Sequence, residues 1–160
     1  AKLAEQKPVV QQYVMDQIFD AMENEEAWIA PYYAGDYLTM VEENPDLAFY
    51  RPTAQGYNMF IDAMCIPTGC QNQELAEIFI NYMLSEEPAV ANAEYISYAS
   101  PNALVYESET YQADMGQEAM EILYPDLGDF AQQYNTLAYR NLSNEMLDYV
   151  NTLWETLKIN

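Results

Sequence analysis

The stretch "GYNMFIDAMCIPTGCQNQELAEIFINYMLSEE", residues 56–87, carries both periodicities on which a fold class turns. Its first part, "YNMFIDAMCI", is rich in aromatic and apolar side chains and reads as a strand. Its second part reads as a helix from about Asn72 to Leu84, because Leu75, Ile78, Phe79, Tyr82 and Met83 recur at helical spacing along one face. Asn72 is placed to cap that helix, with Glu74 in its first turn. Asp62 stands out inside the apolar run, since burying an unpaired carboxylate costs more than its neighbours gain. A cationic partner is therefore expected for it. Residues two apart in a strand share a face, so Phe60 and Asp62 project together while Met59, Ile61 and Ala63 project the other way. An aromatic ring beside a carboxylate suits an alkyl ammonium ion: the charge-assisted hydrogen bond is worth about 1.5–3 kcal/mol and the cation–π contact about 0.5–2. The internal alternatives are a pairing of Asp62 with Arg51 or Lys7, or a place at the strand's exposed end.

Outward from this stretch, strands alternate with helices. "AWIAPYY" and "LAFYRP" read as further short strands. Val14, Ile18, Phe19 and Met22 fit one helical face, and "AGDYLTMVEEN" reads as a helix stopped before Pro45. Pro88 opens a helix at its tolerated first position, carrying Ala89, Val90, Ala93 and Ile96 inward. "SYASPNALVY" reads as loop with a short strand, and the chain is helical again to about Leu123. "YPDLGD" is a turn-rich break. A last helix spans about Asn144 to Leu157, with Ser143 as its cap and Met146, Leu147, Val150, Leu153, Trp154 and Leu157 on one side, Trp154 being expected in the core. The alternation predicts an α/β fold. Three or four short strands are few for a complete sheet, so the chain reads as part of a larger domain with uncovered sheet edges.

The chain has 160 residues, 51% of them apolar and 14% aromatic, enough for one domain with a real core. Its 26 acidic residues against 5 basic ones leave a formal net charge of −21. Such a surface repels nucleic acid and anionic membranes and attracts cations, although a solubilising acidic coat gives the same composition. Histidine is absent, which removes Ser-His-Asp and Cys-His catalysis and most transition-metal sites. Cys65 and Cys70 in "CIPTGC" are too few for a zinc cluster and too widely spaced for a redox C-x-x-C pair. They leave a short loop disulfide or two buried thiols. No run approaches the roughly 18 apolar residues of a membrane span, and "AKLAEQKPVV" does not read as a signal peptide. Beginning without methionine, the sequence is expected to be a processed product or an excised piece. Fifteen tyrosines against five phenylalanines is a skewed ratio. Tyr32, Tyr33, Tyr57, Tyr98 and Tyr139 fall at loops or strand ends, where a cleft would form.

The stretch 56–87 followed by "YASPN" resembles the C-terminal half of the spermidine/putrescine-binding proteins of bacterial polyamine ABC transporters. The shared features are an aromatic-x-Asp strand leading to Ile-Pro, met by Phe60, Asp62, Ile66 and Pro67; "FINYML"; Tyr98 with Pro101 and Asn102; and "LYPD" at 123–126. A weaker likeness runs from "QKPVVQQYVMDQIFD" to "LWETLK". The resemblance implies a two-lobed, type II periplasmic-binding fold, with residues 1–60 and 108–160 in the second lobe, 61–107 returning to the first, and the N-terminal half absent. It implies that Asp62 binds an amine end of a polyamine. Phe60 and Tyr33 stand at family tryptophans, Tyr98 at a family tyrosine, and Tyr139, or else Gln132 or Gln133, near a family glutamine; Tyr32 adjoins Tyr33. It further implies a non-enzymatic, extracytoplasmic protein without a cofactor, whose partners are a polyamine and an ABC permease. The family's other acidic contacts lie in the half this chain lacks, so residues 1–160 alone are expected to bind polyamine weakly or not at all, and to self-associate.

Three other readings compete. Adjacent Tyr32 and Tyr33 resemble the paired phenolates of some ferric-ion receptors. Asp16, Asp20, Asp36 or Asp62 could supply a catalytic carboxylate pair, although none stands in a recognisable motif. An acidic protein-interaction module would account for the charge alone.

Overall fold

The computed structural model describes residues 2–52, 54, 56–126 and 141–159. Helices α1 (Lys2–Gln6), α2 (Ile18–Glu23), α3 (Ala34–Glu43), α4 (Gln73–Leu84), α5 (Glu86–Ile96), α6 (Ala103–Tyr106), α7 (Glu109–Leu123) and α8 (Asn144–Ile159) follow one another, with a 3-10 turn at Lys7–Val9 after α1. No β-strand occurs among the described residues, so the expected α/β fold is wrong for this structure. "AWIAPYY", "LAFYRP" and "YNMFIDAMCI" are non-regular connections. Their apolar and aromatic content suits a pleated surface, but a strand exists only by pairing, and no described segment supplies the ladder. The sheet edges expected to drive self-association are consequently absent from the described residues.

The core lies between α5, α6 and α7. Ala89 and Ala93, one turn apart on α5, are small enough to let Val105 of α6 and Tyr111 of α7 approach closely, and the latter two are fully buried. Val90, Met115, Met120 and Tyr124 pack around them. Local sequence fixes the corners. Ser85 is the N-cap of α5, so Pro88 sits third in the helix rather than first. Its missing N–H still belongs to the opening turn, where no intrahelical acceptor exists. Asn102 caps α6, accepting from the Leu104 N–H at 3.1 Å and donating to the Leu84 carbonyl at 2.8 Å, which ties α6 back to α4. "ALVY" is therefore a helical turn, not a strand. Asn102→Ala is expected to cost about 1 kcal/mol, read as a lowered urea midpoint. Ser108 caps α7 through the Tyr111 N–H, and the Tyr124 hydroxyl accepts from the Ser100 N–H at 2.8 Å. Gly116, at φ 76° and ψ 164°, breaks α7 in two. That backbone region is open only to glycine.

A second packing centre joins α2 to α3. Buried Asn44 donates to the Met22 carbonyl at 3.1 Å and accepts from the Asp46 N–H at 3.1 Å, beside buried Ile18, Ala21 and Met40. Arg51 donates to the Ile122 carbonyl at 2.7 Å and lies over the Phe49 and Tyr57 rings, fastening the segment after α3 to α7.

Two expected core stripes stay in solvent. On α4, Leu75, Ile78, Phe79 and Tyr82 are 55–64% exposed. Asn72 occupies the N-cap position of α4 without making a side-chain cap bond. On α8, Ser143 does cap, accepting from the Met146 N–H at 3.3 Å, but Met146, Leu147, Val150 and Leu153 are exposed. Trp154 is 39% exposed and meets the edge of Tyr13 at 5.2 Å, so it is a surface contact rather than core. Lys7 donates to the carbonyls of Leu157 and Lys158, where the negative end of the helix dipole favours a cation. No helix among the described residues is long and apolar enough to cross a membrane.

Candidate functional site

The residues before α3, the start of α3 and the end of α5 converge on one aromatic cluster. Tyr33 is the N-cap residue of α3, in an extended conformation that leaves its side chain outside the helix. Its ring lies 5.1 Å from that of Tyr32 and 5.3 Å from that of Phe60. Phe60 lies 6.5 Å from Tyr98, and Phe19 of α2 meets Tyr32 edge-on at 5.9 Å. Edge-to-face rings at these spacings attract one another while leaving ring faces for a ligand.

Two features aim Tyr98 at the cluster. Ser97, the C-cap of α5, adopts the left-handed conformation at φ 56° and turns the chain sharply off the helix. Buried Gly35 faces the Tyr98 ring, and a methyl group there would fall 2.5 Å from Tyr98 Cε2 and 2.6 Å from the Ser97 carbonyl oxygen. Glycine is needed at this position for close approach, as its φ is ordinary.

Carboxylates line the tyrosine hydroxyls. Asp36, in the first turn of α3, bears on the Tyr98 hydroxyl, and Asp36 and Asp16 bear on that of Tyr32. Burial raises the Asp36 carboxyl above the usual carboxylate range; the Tyr98 hydroxyl works against that rise and the Asp16 charge adds to it. Burial also raises Tyr98 well above an ordinary phenol, helped by the neighbouring Asp36 and its charge. Tyr32 is raised by burial and then by the charges of Asp36 and Asp16. The site is thus a half-buried set of phenols and rings around a carboxyl whose ionised form is disfavoured by burial. Such a site gains by receiving a cation. A raised Tyr32 opposes the phenolate that ferric binding requires.

Of the residues expected from sequence, Tyr32, Tyr33, Phe60 and Tyr98 come together. Asp62 does not join them by any hydrogen bond or ion pair to a described residue. It is exposed, so the burial cost that drew attention to it does not arise. Tyr139, Gln132 and Gln133 lie outside the described residues. Sequence names Asp36 only among four candidates for a catalytic carboxylate pair, not as a ligand contact. Its signal was Gly35, a small residue between Tyr33 and Asp36 at a helix start, where close approach from another element is expected. Among the described residues no three of His, Cys, Asp or Glu are grouped to hold a metal.

Comparison with known proteins gives two findings. Residues 1–119 match the family described as bacterial extracellular solute-binding protein. Over 93 residues the chain is 27% identical to the norspermidine sensor of Vibrio cholerae serotype O1, an alignment covering 57% of this chain and 26% of that protein. The match therefore spans about a quarter of that relative's length. No solved structure matches the chain.

Proposed function

The chain belongs to the bacterial extracellular solute-binding proteins, and from that premise we propose that its solute is a polyamine such as spermidine, norspermidine or putrescine, received at the aromatic cluster around Tyr33. The observation that carries this reading is the chain of rings from Phe19 through Tyr32, Tyr33 and Phe60 to Tyr98, with Asp36 set against the Tyr98 hydroxyl. Ring faces take methylene groups and ammonium heads, and Asp36 takes one charged end. Asp62, exposed two residues beyond Phe60, takes a second end of an extended ligand in this reading. The name of the Vibrio relative supports the ligand class. In this reading the protein acts outside the cytoplasm and presents its solute to an ABC permease without chemistry of its own.

Titration calorimetry with spermidine, norspermidine and putrescine tests it. Asp36→Asn should weaken binding by about 2 kcal/mol or more, because it cuts a charge-assisted contact in a half-buried site. Asp62→Asn should cost less, being solvent-screened. The pH dependence follows from the raised Asp36 carboxyl. Its protonated form is favoured by the fold, so its contribution to stability is full below the unfolded carboxylate range and is lost as pH rises through the folded value. A bound ammonium favours the ionised form and expels that proton. Affinity should therefore rise with pH across the Asp36 titration, by up to about tenfold per pH unit, and then level off. Asp36→Asn should flatten the rise. Binding that is pH-independent and unaffected by either substitution would refute the site.

A further inference from the structure

We propose that Cys65 and Cys70 form a covalent modification site: an intrachain disulfide that closes the turn between the segment carrying Phe60 and the start of α4. Both stand as free thiols, Cys65 exposed and Cys70 half-buried, so the packing role open to buried cysteines is not theirs. A turn lies between them. The Cys70 N–H donates to the Pro67 carbonyl at 2.9 Å, closing a turn whose last residue is Cys70 and whose first lies two residues after Cys65. The Gln71 side chain buttresses it through the Gly69 carbonyl at 3.0 Å. Nothing lies within 4 Å of the space a side chain would occupy at Gly69, so the turn is free to adjust to disulfide geometry.

Two accessible thiols five residues apart, the second closing a turn, meet at high effective concentration, which favours an internal bridge over reaction with a second molecule. An extracellular compartment is where such a bond persists. The reaction consumes one disulfide oxidant of the glutathione class. One thiolate attacks it to form a mixed disulfide and releases a glutathione; the second thiolate then attacks the protein sulfur and displaces the other glutathione. Two thiols become one disulfide, and the oxidant becomes two thiols. The bond ties the segment bearing Phe60 and Asp62 to the residues that lead into α4.

The test is intact-mass measurement of the 160-residue chain after incubation with oxidised glutathione, with and without iodoacetamide. The expected result is a loss of two hydrogens, resistance to alkylation until a reductant is added, and a single stable glutathione adduct on Cys65→Ser and on Cys70→Ser. A wild-type chain that stays a dithiol, that retains glutathione adducts, or that bridges only to a second chain overturns the proposal.

Discussion

Tyr111→Ala should lower the stability of the chain by about 3–5 kcal/mol, the cost of emptying an aromatic site in a core that cannot collapse around the loss. Tyr111 and Val105 are the largest fully buried side chains, and the faces of α5, α6 and α7 meet on them. A typical domain has about 5–15 kcal/mol in total, so the variant should be largely unfolded at modest urea concentrations. Tyr111→Phe keeps the ring and its edge-on contact with Tyr124 at 6.4 Å, and should remain close to the parent. Urea unfolding followed by far-UV circular dichroism measures both. A Tyr111→Ala loss below about 1 kcal/mol would mean that the core lies elsewhere.

Gly35→Ala should abolish the arrangement of the aromatic cluster while leaving most of the fold in place. The added methyl group meets two neighbours of different kinds. Tyr98 can swing away, but only by giving up its place beside Asp36 and its approach to Phe60. The Ser97 carbonyl is backbone, fixed by the left-handed C-cap, and can yield only by moving the end of α5 away from α3. Overpacking of this kind costs about 1–3 kcal/mol of stability. Polyamine affinity should fall by at least about tenfold, equivalent to about 1.4 kcal/mol. Gly69→Ala, with open space around it, is the control and should change stability by less than about 0.5 kcal/mol. If Gly35→Ala binds polyamine like the parent, Tyr98 is not part of the site.

What could be read from sequence follows from how local the causes are. The helical faces of α4 and α8 were legible because residues three and four apart settle them within one element, and Ser143 caps as its position suggests. Where those faces go was not legible. Leu75 and Phe79 look like core in a helical projection, yet no described element covers them. The strands failed for a related reason: "YNMFIDAMCI" has the composition of a strand, but pairing depends on a partner distant in sequence. The site divides similarly. Tyr33, Phe60 and Tyr98 could be singled out, because aromatic residues at loops and helix ends are unusual, and the fold brings their rings together. The sequence argument for Asp62 rested on burial, which its exposure removes, while Asp36 acquires its character from Gly35, Ser97 and Tyr98, which meet only in the folded chain.

The clasp between Lys7 and the last turn of α8 bears on the order in which the chain assembles. It joins residues 150 apart, whereas α4 through α7 are built from contacts between successive helices. Closing a loop of that length costs about 4 kcal/mol in chain entropy, more than a lysine at a helix end returns. The clasp therefore cannot nucleate folding. It forms after the central helices have brought the two ends near each other.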